Sequence, residues 1–128
     1  MFCIIQARMN SLRLPGKVMM NVDKKPLLLH TILRIKKSKF VKKIIIATSD
    51  KLENKKIVNF CKKNKVEFFI GPENKVSLRF YEIINKYKLK EFIRISGDSP
   101  LIDYRIIDEA IMISRFKHFD IVTNIFHR

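Results

Sequence analysis

The residues best suited to chemistry in this sequence lie in one stretch near the N-terminus, residues 6–17. It follows directly on a short apolar run, residues 2–5, and it contains Arg8, Arg13 and Lys17. Arginine can bind phosphate oxygens through two parallel hydrogen bonds, and lysine adds a mobile positive charge. A buried strand that leads into a cationic loop with free backbone N–H groups is typical of a phosphate site. An ordinary basic loop is the alternative, and neither common glycine-rich phosphate motif is present.

The second candidate is Gly97-Asp98, which follows another apolar run. Glycine lets the backbone approach a ligand closely. A carboxylate there could hold Mg²⁺, which takes one or two carboxylates and completes its shell with water and substrate phosphate oxygens. The alternative is that Asp98 caps the turn in Asp-Ser-Pro. The cationic loop, expected at the same sheet edge, favours the metal.

Other polar residues have weaker signals. Arg79 lies near the start of a predicted helix, where it either reaches a nucleotide or substrate or is solvated. Residues 48–50, Thr-Ser-Asp, either contact substrate or cap the next helix, and capping is favoured. Asp103, Asp108 and Glu109 lie near a helix start, where acidic residues interact well with the helix dipole, so we interpret them as structural.

Apolar runs alternating with helical periodicity predict the elements that position these residues. Strands are predicted at residues 2–7, 44–47, 66–70, 92–95 and 120–123, and helices at 26–37, 52–64, 76–87 and 106–116. Such alternation indicates one α/β domain with a Rossmann-like, mostly parallel sheet and helices on both faces. Ligands of such sheets bind outside the carboxyl ends of the strands. The candidate segments 6–17, 48–50 and 96–100 should meet there.

The composition limits the partners. The formal charge is +15, from 27 Lys and Arg against 12 Asp and Glu, which allows a nucleic-acid partner. However, the lysines are spread over most predicted helices and loops and are not interleaved with aromatic residues, which favours a solvated basic surface. No apolar run approaches the roughly 20 residues of a membrane span, and no signal-peptide pattern is present. We therefore expect a cytoplasmic protein, with Cys3 and Cys61 as buried free thiols.

Several segments resemble the cytidylyltransferase family that makes CMP-activated sugar acids, most closely its spore-coat polysaccharide branch. Residues 6–17 match Gln-Ala-Arg-Met-Gly-Ser-Thr-Arg-Leu-Pro-Gly-Lys, with Asn10 for Gly and Leu12 for Thr. Residues 94–103 resemble Arg-Ile-Thr-Gly-Asp-Cys-Pro-Leu-Ile-Asp. Residues 78–81, Leu-Arg-Phe-Tyr, stand where the family usually has Asp-Arg-Tyr-Tyr. Asparagine tolerates a left-handed backbone, so the loop shape can survive at position 10.

The resemblance implies a nucleotide-diphospho-sugar transferase-like fold that transfers CMP from CTP to a sugar acid hydroxyl, releasing pyrophosphate, for surface polysaccharide biosynthesis. Arg8 and Lys17 would bind the CTP phosphates and Asp98 would bind Mg²⁺, so these three are the implied catalytic residues. The implied nucleotide-binding residues are Gln6, Ala7, Arg8, Asn10, Ser11, Arg13, Lys17, Arg79, Ser96 and Gly97.

Members of the resembled family continue well past the length of this chain. The resemblance therefore implies that residues 1–128 form the N-terminal, nucleotide-binding part of an incomplete domain. The remainder would supply a second acidic metal ligand, much of the sugar pocket and the contacts of a homodimer. We expect little turnover from this chain alone. The alternatives are a nucleotide-binding fragment without catalysis and, less favoured, a basic nucleic-acid-binding module.

Overall fold

The computed structural model describes residues 1–11, 13–116 and 119–124. Its strands are β1 (Phe2–Gln6), β2 (Asn21–Val22), β3 (Lys25–Pro26), β4 (Lys43–Ser49), β5 (Glu67–Gly71) and β6 (Phe92–Ser96). Its α-helices are α1 (Leu27–Ile35), α2 (Lys55–Lys63), α3 (Val76–Tyr87) and α4 (Tyr104–Phe116). Short 3₁₀ turns cover Lys17–Met19 and Leu52–Asn54.

The main sheet has four strands in the order β5-β4-β1-β6, and every neighbouring pair is parallel. From β1 the chain builds outward through β4 and β5, and it then crosses to the other side of β1 to form β6. The direction of winding therefore reverses between β1 and β6, where Gln6 is paired with Ser96. A crevice at such a reversal is the usual ligand site of an open α/β sheet.

The Ile-rich strands are buried on both faces, as the sequence predicts. Cys3 and Ile5 point into a core with residues of α1, α2 and α4, whereas Ile4 packs on the other face against Phe80 and Ile83 of α3. Burying an isoleucine side chain contributes about 1.5–3 kcal/mol. This two-sided burial confirms the predicted α/β architecture with helices on both faces.

The predicted fifth strand, residues 120–123, is wrong. Residues 119–124 form no strand in the structure, and Ile121 is 82% exposed. A β-strand requires a neighbour for its backbone N–H and C=O groups, and β-branched residues alone do not supply one. The predicted helix at 52–64 is also shorter than expected, because its first turn is 3₁₀ and α2 begins at Lys55.

Both cysteines are buried free thiols, as predicted. Burial raises the pKa of Cys3 and that of Cys61 to about 12, so neither thiol ionises near neutral pH. Among the described residues, no helix is both long and apolar enough to cross a membrane. Leu12 and the segments 117–118 and 125–128 lie outside the described residues.

Candidate active site

A cavity of about 290 Å³ opens at the carboxyl ends of β1 and β6. It is lined by Gln6, Arg8, Ser11, Arg13, Lys17, Val18, Ser96 and Asp98. All of these except Val18 are predicted site residues. The structure therefore brings the cationic loop and the aspartate together at the point where the winding of the sheet reverses.

The loop after β1 is held in shape by its own backbone. The N–H groups of Ser11 and Gly16 both donate to the carbonyl of Met9, at 3.1 and 2.7 Å. Gly16 adopts a left-handed conformation with φ 73°, which glycine tolerates best, and the 3₁₀ turn starts directly after it. Val18 is buried in the core and fixes this turn. Lys17 is thereby placed on the cavity wall.

Asp98 and Lys17 form an ion pair across the cavity. Lys17 Nζ contacts one carboxylate oxygen, and the Ser96 hydroxyl donates a hydrogen bond to the other. The hydrogen bond from Lys17, followed by that from Ser96, lowers the pKa of Asp98 below its ordinary value. Asp98 is therefore ionised at neutral pH, and its partners are not the N–H groups of the following turn that the capping alternative requires.

Asp98 could serve as a carboxylate ligand of a magnesium ion whose other ligands are mostly water and phosphate oxygens. No group of three or more His, Cys, Asp or Glu side chains gathers at one place in the described part of the chain. Mg²⁺ does not need such a group, since one or two carboxylates with water and phosphate oxygens suffice. The ammonium group of Lys17 lies where a metal ion would contact Asp98, so Lys17 would have to move before the metal binds.

A buried polar network anchors the other side of the loop. The backbone N–H of Met9 donates to Asn54 Oδ1 at 2.8 Å, and Asn54 Nδ2 donates to Ser49 Oγ at 2.5 Å. The Ser49 hydroxyl donates in turn to Glu73, whose other oxygen lies 3.9 Å from Arg8 Nη1. The network joins the loop to the end of β4 and to the segment before α3, and it ends at the Glu73 carboxylate beside Arg8.

This network corrects the predicted helix cap at residues 48–50. The 3₁₀ turn is preceded by Lys51 and α2 by Asn54, and no side chain forms a capping hydrogen bond at either position. Ser49 instead bonds to Glu73 and Asn54, neither of which the sequence analysis singled out. A signal for Asn54 was available, since it lies three residues before Ile57 on the buried face of the helical pattern.

Arg79 is buried and does not line the cavity. Its side chain is 0% exposed, and its Nε, Nη1 and Nη2 atoms form no hydrogen bond with the described residues. Burial lowers the pKa of Arg79, and the neighbouring carboxylates of Glu73 and Asp50 oppose that effect. The solvated-arginine alternative is therefore wrong. A buried guanidinium without hydrogen bonds is costly, and such groups mark functional sites or strain.

The remaining predicted residues shape the backbone and do not line the cavity. Ala7 is buried, and its N–H donates to Ala47 at 3.1 Å. The N–H of Gly97 donates to the Gln6 carbonyl at 2.9 Å. A Cβ on Gly97 would lie 3.0 Å from the Ala7 Cβ and 3.1 Å from the Gln6 oxygen, so glycine allows the two loops to touch. Asn10 is half-buried outside the cavity lining.

Replacing Asn54 with Ala should destabilise the protein by about 1–3 kcal/mol, because Asn54 is fully buried and its loss leaves the half-buried Met9 N–H without an acceptor and the buried Ser49 hydroxyl without a donor. The loop should also bind phosphate ligands less well, since its anchor is gone. Chemical denaturation of the variant measures the first effect. Asn59→Ala, at an exposed position of α2, is the matched control and should change the free energy of unfolding by less than about 0.5 kcal/mol. Equal effects of both changes would contradict the anchoring role.

Replacing Gly71 with Ala should displace Arg79. The new Cβ would lie 2.4 Å from Arg79 Cγ, an atom near the backbone that cannot easily move aside. We expect overpacking to lower the free energy of unfolding by about 1–3 kcal/mol. Alanine at position 79 has no Cγ, so it removes the clash with the new Cβ at position 71. The double variant Gly71→Ala/Arg79→Ala should therefore lose less stability than the sum of the losses in the two single variants. Additive losses in denaturation would show that the two positions do not interact.

The comparisons agree with this architecture. The protein-family model described as Cytidylyltransferase matches residues 2–125. The spore coat polysaccharide biosynthesis protein SpsF of Bacillus subtilis (strain 168) is 39% identical over 121 residues, which are 91% of this chain and 49% of that protein. The 3-deoxy-manno-octulosonate cytidylyltransferase of Geobacter sulfurreducens is 30% identical over 84% of this chain and 42% of that enzyme.

Solved structures give the same picture. A cytidylyltransferase from Leptospira borgpetersenii superimposes with a TM-score of 0.84 at 33% identity, over 90% of this chain and 49% of that one. A CMP:2-keto-3-deoxy-manno-octonic acid synthetase complexed with CTP shares the fold. It superimposes with a TM-score of 0.76 at 24% identity, over 91% of this chain and 48% of that one. The chain spans about half the length of the curated relatives it matches. On the family match over nearly all of its residues, this chain belongs to the cytidylyltransferase family.

Proposed function

We propose that this chain is the nucleotide-binding part of an enzyme that transfers CMP from CTP to a hydroxyl of a sugar acid and releases pyrophosphate. The observation that carries the proposal is the cavity where Arg8, Arg13 and Lys17 surround a site that also contains Asp98. Three cations and one carboxylate at a sheet reversal suit a triphosphate with its metal. Family membership supports cytosine as the base.

The chain's own groups would act by position and charge. Arg8 and Arg13 would bind phosphate oxygens through charge-assisted hydrogen bonds and orient the α-phosphorus toward the acceptor hydroxyl. Lys17 would move from Asp98 to the phosphates, which frees the carboxylate. Asp98 would then hold Mg²⁺, which supplies neutralisation of the charge on the transferring phosphoryl group. Nucleotidyl transfer needs little further covalent chemistry from the protein.

Two relatives support the acceptor class and the pathway. One is named as a 3-deoxy-manno-octulosonate cytidylyltransferase and the other as a spore coat polysaccharide biosynthesis protein. We therefore propose a sugar acid acceptor and a role in surface polysaccharide biosynthesis. A cytoplasmic location and a homodimer of the longer form remain predictions. The half-length match favours a second candidate, in which the chain alone binds CTP without turnover.

Replacing Arg13 with Ala should weaken CTP binding in Mg²⁺ by about 10-fold, because a charge-assisted hydrogen bond to phosphate contributes about 1.5–3 kcal/mol when buried and less at an exposed position. Isothermal titration calorimetry measures the effect. Lys62→Ala, which removes an exposed charge on α2, should leave the affinity within twofold. Equal losses in the two variants would indicate diffuse attraction by the basic surface.

Pyrophosphate release from CTP and 3-deoxy-manno-octulosonate tests the reaction itself. Release would support the complete reaction, and CTP binding without release would favour the second candidate. A titration with single-stranded RNA over a range of salt concentrations distinguishes these two candidates from a nucleic-acid-binding module. Tight RNA binding with a steep salt dependence, together with no binding of CTP and Mg²⁺, would overturn the proposal.

A further inference from the structure

Along the sequence the lysines are widely spread, but the fold gathers many of them at one end of the domain. All four strands of the main sheet run in the same direction, so they begin at a common edge, where α1, α2 and α3 end. Three segments at this edge, residues 36–43, 62–67 and 86–91, lead from a helix into the next strand. We call these three segments together the basic face.

The basic face carries most of the positive charge of the chain. Eleven lysines and two glutamates give its 20 residues a net charge of +9, against +15 for all 128 residues. Ten of the eleven lysines are exposed, and the exception, Lys43, pairs with Glu67. Within the described part of the chain, none of the other ten has a carboxylate partner. Their charge is therefore free to attract an external anion.

Helix stability accounts for only part of this charge. Lysine interacts well with the helix dipole in the last turn, where Lys62, Lys63 and Lys86 lie. Lys65 and Lys88 lie just past the ends of α2 and α3, with φ of 52° and 51°. Glycine or asparagine is favoured in this left-handed conformation. The chain therefore has lysine at two positions where the backbone favours another residue.

The basic face lies at the opposite end of the sheet from the candidate active site. The cavity opens at the carboxyl ends of β1 and β6, which are five residues long each, whereas the basic face lies at the amino ends. The two are therefore roughly 15 Å or more apart. A nucleotide in the cavity would not contact the basic face, so these lysines require a different anionic partner.

The arrangement and type of these cations fit an anionic lipid bilayer better than a nucleic acid. The three segments precede β4, β5 and β6, so they extend across the width of the sheet and form a broad array. All eleven cations are lysines, which act as hydrated point charges, whereas arginine is preferred for nucleic-acid recognition. Lys43 and Lys86 lie over the Tyr87 ring, and Arg115 lies over that of Phe40. These rings are therefore not free to stack on bases.

We propose that the basic face binds the surface of a bilayer that contains anionic phospholipids. The lysine ammonium groups interact with the headgroup phosphates, and each lysine close to such a surface strengthens binding about fivefold. None of the exposed large apolar side chains lies in the three segments, so the binding is electrostatic and reversible. In this orientation the candidate active site opens away from the bilayer and remains accessible. The inference does not depend on the proposed transfer reaction.

The test is sedimentation of the full chain with vesicles of phosphatidylcholine that contain about 30% phosphatidylglycerol. We expect binding to these vesicles in about 0.1 M salt and none to vesicles of phosphatidylcholine alone. The protein should be released in about 1 M salt, because the Debye length falls from about 10 Å to about 3 Å. The triple variant Lys39→Gln/Lys65→Gln/Lys88→Gln removes one lysine from each segment and should weaken binding about 100-fold.

The triple variant Lys24→Gln/Lys51→Gln/Lys55→Gln is the matched control. It removes the same charge from exposed positions at the carboxyl end of the sheet, and Lys24 has a left-handed backbone like Lys65 and Lys88. Its vesicle affinity should fall by less than about fivefold. Both variants should keep the melting temperature and the CTP affinity of the wild type, because the substituted side chains are exposed and lie outside the cavity lining.

Hydrogen exchange on vesicles tests the orientation. It should slow in the three segments of the basic face and stay unchanged in residues 6–17, and the reverse pattern would contradict the proposal. Absence of binding to the anionic vesicles, equal binding to the neutral ones, or equal losses in the two triple variants would overturn it. Tighter binding to single-stranded RNA, lost in the first triple variant, would instead make the basic face a nucleic-acid surface. Failed vesicle binding with intact CTP binding would leave the proposed function standing.

Discussion

Replacing Asp98 with Asn should abolish the strengthening of CTP binding by Mg²⁺. In wild-type protein we expect Mg²⁺ to raise the affinity for CTP, because in the proposed site the metal would be held by Asp98 and by phosphate oxygens at once. The variant should lose at least about 10-fold of affinity in Mg²⁺, because losing even a hydrogen-bond partner of a metal ligand costs about 10- to 100-fold in metal affinity. Calorimetric titrations with CTP in Mg²⁺ and in EDTA measure the difference.

The Lys17–Asp98 ion pair predicts that the same substitution has a different effect on CTP affinity when no metal is present. Without metal, wild-type Lys17 is paired with Asp98 and must leave it before it can bind phosphate. Asparagine releases the lysine, so in EDTA the variant should bind CTP as well as the wild type or better. Asp103→Asn is the control, since Asp103 pairs with Arg105 outside the cavity lining, and it should change neither affinity. A variant that loses affinity equally with and without Mg²⁺ would contradict the metal role of Asp98.

Replacing Lys17 with Ala should lower CTP affinity by about 10- to 100-fold, because a charged hydrogen bond to phosphate contributes about 1.5–3 kcal/mol. The loss should persist in EDTA, unlike the loss in Asp98→Asn, because the proposed contact of Lys17 with the phosphates does not involve the metal. Affinity for Mn²⁺ without nucleotide should rise, because Asp98 no longer has its cationic partner. Calorimetry with CTP and then with Mn²⁺ alone measures both effects.

The expected cost of Lys17→Ala to folding is small, which keeps the experiment interpretable. The Lys17–Asp98 pair is partly exposed to solvent, and pairs of this kind contribute about 0–1 kcal/mol to stability. The melting temperature of the variant should therefore stay close to that of the wild type. If CTP affinity were unchanged, or if Lys62→Ala reduced it as much, the loop would not be the phosphate site.

Much of the fold follows from local sequence pattern. The runs of isoleucine in β1 and β4 and the helical spacing of Val76, Phe80 and Ile83 predict buried parallel strands and α3, because both faces of the sheet must be covered. The failed strand at 120–123 shows the limit of this reasoning. Strand propensity describes how a residue fits into a sheet, and whether a neighbouring strand exists is a property of the whole fold.

The candidate site was predictable where charge and strand ends coincide. Arg8 and Asp98 follow the ends of β1 and β6, which the sheet topology brings together, and the 3₁₀ turn at the end of the loop adds Lys17. The network through Asn54, Ser49 and Glu73 was not predictable, since its members are far apart in sequence and each has an ordinary local role. The buried position of Arg79 also depends on glycine at position 71, since a Cβ there would lie 2.4 Å from Arg79 Cγ, and no local pattern reveals this contact.

We propose that the loop at 6–17 and Asp98 together bind one nucleotide with its metal. The most direct test is a crystal structure of the chain with CTP and Mn²⁺, in which anomalous scattering locates the metal. We expect the triphosphate against Arg8, Arg13 and Lys17, a manganese ion bonded to Asp98 and to phosphate oxygens, and Lys17 moved from Asp98 to the phosphates. A triphosphate bound elsewhere, or a metal that does not contact Asp98, would contradict this account.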